Sequence, residues 1–222
     1  MAFNLYFSTT NIYLPTFPGN DIYTALLVHG NSATDVSLTT QKTLTPFNLF
    51  FDSSVPPGIG TSSFRFPLGS YIDVQSHSDF NMGTGDWTID LWAKKNSPGH
   101  RYWFGNLDLS QMISYSHNIT SRAAVYLTGA GPGWPTLEGA TNITDGQWHH
   151  IAVCRSGTTV YLFVDGNIDG TLSIGAGYVV NFNIPRICIP NGAGEQFQTE
   201  IRVSKGIARW TAPFTPPTSA YI

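Results

Sequence analysis

The chain has 222 residues and a formal net charge of -3, with 11 Lys and Arg against 14 Asp and Glu. Charged residues make up only 11%, well below ordinary soluble domains, yet 41% of residues are hydrophobic, enough to bury a core and to exclude a disordered chain. There is no Lys/Arg cluster to neutralise phosphates and no apolar run long enough to cross a bilayer, which argues against nucleic-acid and membrane partners. Met1–Pro15 has neither the basic segment nor the apolar stretch of a secretory leader, so the sequence predicts no signal peptide. The two cysteines, Cys154 and Cys188, are too few for a disulfide framework or a zinc site and read as small buried apolar residues.

In chain order, residues 1–20 read as an arm and linker. Phe3, Tyr6, Phe7, Tyr13 and Phe17 make the arm apolar, Met1 to Phe17 carries no charge, and Pro15 and Pro18 kink the connection. An apolar terminus of this kind marks an interaction site, so the arm is expected to mediate attachment or oligomerisation. Residues 21–222 carry strand signals: short β-branched and aromatic runs bounded by Gly, Pro, Asn and Asp, with no segment of helical period. Strands are predicted at Ile22–Val28, Ser70–Val74, Trp87–Ala93, Arg101–Gly105, Met112–Ser116, Ala123–Thr128, Trp148–Arg155, Thr158–Asp165 and Thr199–Ser204. In Trp87–Ala93, strict alternation puts Trp87, Ile89 and Leu91 on one face and Thr88, Asp90 and Trp92 on the other. Asp165-Gly166 between alternating runs predicts a hairpin, and Ser156-Gly157 a second turn, giving a three-strand meander. Regular short strands of this number argue for an all-β, two-sheet antiparallel sandwich.

Three stretches together carry a family resemblance: Asp79–Trp92; Asp145–Val153 with Arg155–Gly157 and Val164–Gly166; and Glu200–Thr218. They are similar, in this order, to motifs of concanavalin A-like, laminin G-like jelly-roll domains, the last especially to a form found in proteins of tailed bacteriophages. The resemblance implies a jelly roll of two antiparallel sheets packed face to face, with a concave outer face and loops at the rim. It does not imply one activity, because the same sandwich serves lectins, glycosidases, adhesion modules and virion decoration.

The residues narrow the chemistry. Glycosidases need two carboxylates flanking the scissile bond; the nearest approach is Asp86 and Asp90, and Asp86 precedes its strand, so a non-enzymatic chain is expected. His149 and His150 are adjacent on a strand and point to opposite faces, so they cannot chelate one ion. Laminin G-like domains often hold a rim calcium, for which the available carboxylates are Asp35, Asp73, Asp86 and Glu200, with Thr199 standing where the family carries an Asp. Sugar or partner stacking would fall to Trp103, Trp134, Tyr115 and Tyr126, of which Trp134 lies in the irregular run Gly131–Pro135. Trp148 is expected to anchor the core.

The leading expectation is a non-enzymatic bacteriophage virion structural protein, a capsid decoration or tail-associated protein, made in the host cytoplasm and located in the virion. Its expected partners are other virion proteins, further copies of itself and host surface glycans. A carbohydrate-binding adhesion module is the first alternative and a glycoside hydrolase the second.

Overall fold

The computed structural model describes residues 19–116, 120–128, 136–189 and 194–222, with the backbone alone over 112–116. Its strands run β1 (Thr24–Val28), β2 (Leu44–Phe47), β3 (Phe50–Asp52), β4 (Ser63–Phe66), β5 (Tyr71–Val74), β6 (Asn81–Gly83), β7 (Trp87–Lys95) and β8 (Arg101–Asn106). They continue with β9 (Gln111–Ser116), β10 (Arg122–Leu127), β11 (Leu137–Asn142), β12 (Trp148–Ser156), β13 (Thr159–Val164), β14 (Asn167–Ser173), β15 (Val180–Asn181), β16 (Pro185–Ile187) and β17 (Gln196–Lys205). Among the described residues, one sheet has eight strands in the order β14-β13-β12-β7-β17-β4-β3, with β1 also on β17. The other has seven, β11-β10-β9-β8-β16-β5-β2, and β15 pairs with β6. Every pairing is antiparallel, and the expected all-β sandwich, its meander and its Asp165-Gly166 hairpin are all present.

Alternation along the strands builds the core. Trp87, Ile89 and Leu91 of β7 meet Ile151 and Val153 of β12 and Ile201 and Val203 of β17 in one cluster with Ile72, Trp103, Val125 and Ile187 of the facing sheet. Trp103 is 1% exposed, so its indole fills the core and offers no stacking platform, correcting the expectation from sequence. Trp148 departs in the other direction: it opens β12 half-buried and lies outside the core cluster, because the strand begins there at the rim.

On the opposite face of the eight-stranded sheet, the stretch over β7, β12 and β17 is also buried. Asp90 and Arg202 project from neighbouring strands on that face, where Arg202 Nε and Nη2 donate to the two Asp90 oxygens at 2.9 and 3.2 Å. The Tyr221 hydroxyl donates to Asp90 Oδ2, the Arg202 guanidinium lies 3.8 Å from the centre of the Tyr221 ring, and His150 Nε2 is 3.5 Å from the same carboxylate. Residues 206–222 cross over this group. Trp210 and Phe214 stack at 4.0 Å and close on His150 and Phe163. The crossing is fixed at Gly166, where Phe214 N–H donates to the Gly166 carbonyl and any Cβ would come 1.9 Å from the Phe214 oxygen. A side chain at that turn would lift the tail off the sheet.

Gly19 and Asn20 bond to the sandwich. Gly19 accepts from Arg202 Nη1 at 3.1 Å, and Asn20 N–H donates to the Ile222 carbonyl at 2.9 Å. The arm residues Phe3, Tyr6, Phe7, Tyr13 and Phe17 lie outside the described residues.

Strand β17 carries both neighbours on one edge through a bulge. Glu200, at φ 51°, sits between the Thr199–Trp92 and Arg202–Asp90 pairs, so residues 196–198 pair with β4 while 201–204 pair with β1. The extra residue re-aims the strand locally.

Two predictions follow from these buried groups. Burial alone would raise the Asp90 carboxyl, but Arg202 and His150 hold it far below the ordinary carboxylate range. Asp90→Asn leaves Arg202 buried without its counter-charge and is expected to cost about 3–5 kcal/mol in urea unfolding. A loss under about 1 kcal/mol would show that the pair does not organise this face. His149 is held by Asp165 at 2.7 Å and Asp145 at 3.1 Å; burial opposes its protonation, but the two carboxylates outweigh it and raise its pKa. A raised imidazole pKa contributes stability that is full below the ordinary imidazole range and is lost as pH rises through the folded value. The urea midpoints of wild type and His149→Gln should therefore differ most near about pH 5 and converge toward about pH 9. A gap that does not vary with pH would refute this.

Candidate functional site

With the middle of the eight-stranded sheet covered on one face by the core and on the other by residues 206–222, the outer face of the seven-stranded sheet offers an open strand surface. Period two sets its residues. In β5, Ile72 and Val74 are buried while Tyr71 and Asp73 face outward. In the partners, Arg186 of β16 and Thr45 of β2 both lie opposite Asp73, and Phe47 of β2 lies opposite Tyr71.

These side chains form a continuous row. Phe47 stacks on Tyr71 with ring centres 5.0 Å apart and planes 16° from parallel. The Arg186 guanidinium lies 3.7 Å from the centre of the Tyr71 ring. Asp73 Oδ1 accepts from Arg186 Nε at 2.6 Å and Nη2 at 2.5 Å. Tyr71 is thus fixed between Phe47 and a cation that is itself held by a carboxylate. Phe47 remains 56% exposed. Thr45 and the Asp73 carboxylate are open to solvent beside it. An exposed aromatic ring on a rigid support, flanked by a hydroxyl and a carboxylate, suits an amphipathic ligand that presents C–H groups to the ring and hydroxyls to the polar atoms.

Strands β8, β9 and β10 lie further along the same sheet. Tyr126 is half-buried against Tyr102, Ala124, Leu109 and Ile189, and Tyr115 pairs through its backbone with Tyr102 and Ala124. The expected Tyr115 and Tyr126 therefore belong to the strands of the accessible sheet, whereas Trp103 does not face it. Trp134 lies outside the described residues. Sequence reasoning passed over Phe47, Tyr71 and Arg186, although the alternation of Tyr71-Ile72-Asp73-Val74 already places Tyr71 and Asp73 on the polar face.

The four carboxylates considered for calcium do not meet. Asp35 is buried and accepts the backbone N–H groups of Leu27, Ser37 and Lys42. Asp73 is paired with Arg186, and Asp86 accepts Gly157 N–H at 2.8 Å, tying the start of β7 to the β12–β13 turn. Glu200 accepts Tyr221 N–H through Oε2 and contacts His29 Nδ1 at 2.7 Å through Oε1. Each is engaged by donors of the chain itself, and among the described residues no three His, Cys, Asp or Glu side chains are grouped to hold an ion. These residues do not fit a shared calcium site.

Asp86 and Asp90 likewise have separate structural tasks, a turn bond and the buried ion pair, and Asp90 is fully buried. A concavity of about 240 Å³ lies at the edge of the sandwich, lined by His29, Asn31, Thr61, Ser62, Glu200 and Tyr221. Its one acidic side chain, Glu200, has both oxygens occupied within the fold. Both cysteines are buried, with thiols pushed up to about 12 for Cys154 and about 11 for Cys188 by burial, so neither is a ready nucleophile.

Solved structures share this fold. The binding domain of Paraclostridial Mosquitocidal Protein 1 superposes with a TM-score of 0.65 at 12% identity, over 84% of this chain and 50% of that one. A botulinum neurotoxin type C structure, described as showing cell entry dependent on interaction with two ganglioside molecules, gives 0.63 at 11% identity, over 84% and 49%. Domain 4 of AbnA, a GH43 extracellular arabinanase from Geobacillus stearothermophilus, in complex with arabinotriose, gives 0.61 at 15% identity, over 84% of this chain and 95% of that domain. The chain spans about half the length of the toxin chains it matches. No curated protein matches the sequence. Sequence and fold agree on the family: residues 68–201 match its Laminin_G_3 model, and the chain belongs to the concanavalin A-like lectin/glucanases superfamily.

Proposed function

We propose that this chain is a non-enzymatic binding module that takes a glycan on the outer face of its seven-stranded sheet. The observation that carries this reading is the Phe47 ring, more than half exposed yet fixed by stacking on Tyr71, which Arg186 and Asp73 hold in place. A ring immobilised before binding loses little rotamer freedom when a sugar stacks on it. The neighbouring structures described as bound to arabinotriose or dependent on gangliosides support a glycan ligand. The engagement of Asp86 and Asp90 within the fold supports a role in binding rather than hydrolysis.

The setting we propose is a tailed-bacteriophage virion, with the module in a capsid decoration or tail-associated protein facing host surface glycans. Its support is the resemblance of Glu200–Thr218 to phage proteins and the apolar, uncharged run from Met1 to Phe17, suited to docking on another virion protein or a further copy of the chain. Antibody labelling of intact particles would locate the chain, and its absence from purified particles would remove the virion setting while leaving the binding face intact.

The binding face is tested by calorimetric titration with a panel of neutral and sialylated oligosaccharides that includes arabinotriose. At least one should bind saturably, and Phe47→Ala should weaken it by about tenfold, the effect of losing one stacking contact of about 1–1.5 kcal/mol. Phe50→Ala, on the edge of the other sheet, should leave affinity unchanged, and both variants should melt as wild type does. Failure of the whole panel, or equal affinity in wild type and Phe47→Ala, would overturn the assignment.

A further inference from the structure

Lys95 ends β7 and Arg101 begins β8, and strand alternation turns both side chains into the sandwich. Lys95 continues the inward row of Trp87, Ile89, Leu91 and Ala93, while Arg101 precedes the inward-facing Trp103 by two residues. Both are fully buried at the same end of the molecule, joined by the surface turn 96–100. Arg101 Nη2 donates to the Phe66 and Pro67 carbonyls at 2.8 and 2.7 Å, and Lys95 Nζ donates to the Ser97 carbonyl.

No carboxylate of the described residues pairs with either cation. The acid adjoining this end, Glu195, is half-exposed and bonds Arg65 at 2.5 Å. Arg101 Nε and Nη1 are buried without a partner, as are both polar atoms of the Gln198 amide and Oε1 of Gln196. Burial and the charge of Arg101 together push the Lys95 ammonium down to about 8. Arg155, at the other end of the same sheet, is resolved differently: its guanidinium reaches the carbonyls of Gly157, Tyr178 and Gly83, and the charge of Asp86 lies near it.

Two like charges buried together are costly unless a counter-charge joins them, and unpartnered buried donors add to that cost. We propose that Lys95 and Arg101 hold a small monovalent anion between the sheets, either free chloride or the carboxylate of a bound small molecule. Arg101 supplies its unpartnered Nε and Nη1 donors, Lys95 supplies a point charge, and the Gln198 amide supplies a further N–H. The site is separate from the Phe47 face, which lies on the outer side of the sandwich, so the two readings fail independently.

Chloride-35 NMR on the whole chain tests the site. Wild type should broaden the chloride line in excess of bulk, saturably, and Lys95→Met and Arg101→Gln should each lose that excess. Lys95→Met replaces a buried cation with an apolar side chain of similar length, so it keeps the test available if Arg101→Gln does not fold. Acetate that competes away the broadening assigns the site to carboxylates as well, and acetate that fails to compete assigns it to halide. Melting temperature should rise more with added chloride in wild type than in Lys95→Met. A wild-type linewidth equal to that of Lys95→Met, or the same rise in melting temperature in both, would overturn the proposal.

Discussion

The ion pair of Asp90 and Arg202 decides how the rest of the sandwich is arranged. Both residues lie on the face of the larger sheet that points away from the core, and an antiparallel sheet can leave such a face in water. Here it is sealed instead. The guanidinium is covered by the Tyr221 ring and capped by the Gly19 carbonyl, and the carboxylate takes the Tyr221 hydroxyl, so the pair holds residues at both edges of the described chain against one sheet. Once the tail is drawn across, Trp210 and Phe214 complete a second apolar layer over His150, Cys154 and Phe163. The centre of the larger sheet, over β7, β12 and β17, is closed to a ligand, while the outer face of its partner stays open.

Much of this was legible in the sequence wherever two-residue alternation was uninterrupted. Trp87–Ala93 announced its two faces correctly, and the Asp165-Gly166 turn was given by its residue types, since its left-handed positions suit Asp and Gly. The sequence did not announce β2 and β3, which are short, carry Pro46, and expose Phe47, Phe50 and Phe51, so no buried period marks them. Phe47 matters only because β2 joins β5 across a long sequence gap, a pairing that no local pattern encodes. Trp103 and Trp148 show the same limit from the other side. An indole is large enough to fill a core or to line a rim, and only the position of its strand in the sheet decides between them.

The low charge of the chain also acquires a structural meaning. Several of its few ions are spent inside the fold: Asp90 with Arg202, Arg155 on carbonyl groups, and Lys95 with Arg101 between the sheets. Buried ions of this kind contribute little net stability, but each one penalises any register or sheet order that would leave it unpaired. Among the described residues of the accessible face, Arg186 and Asp73 form a compensated pair beside aromatic rings.

The bond between Asn20 N–H and the Ile222 carbonyl brings the two edges of the described body to one point. Polypeptide leading in and polypeptide leading out would therefore meet side by side. A domain with adjoining ends hangs from a scaffold as a pendant, not as a link in a chain. Tension between its two ends would be borne first at the Asn20–Ile222 clasp, leaving the strand ladders beyond it unloaded. Such a domain can be grafted into a surface loop of another protein without prying that loop apart.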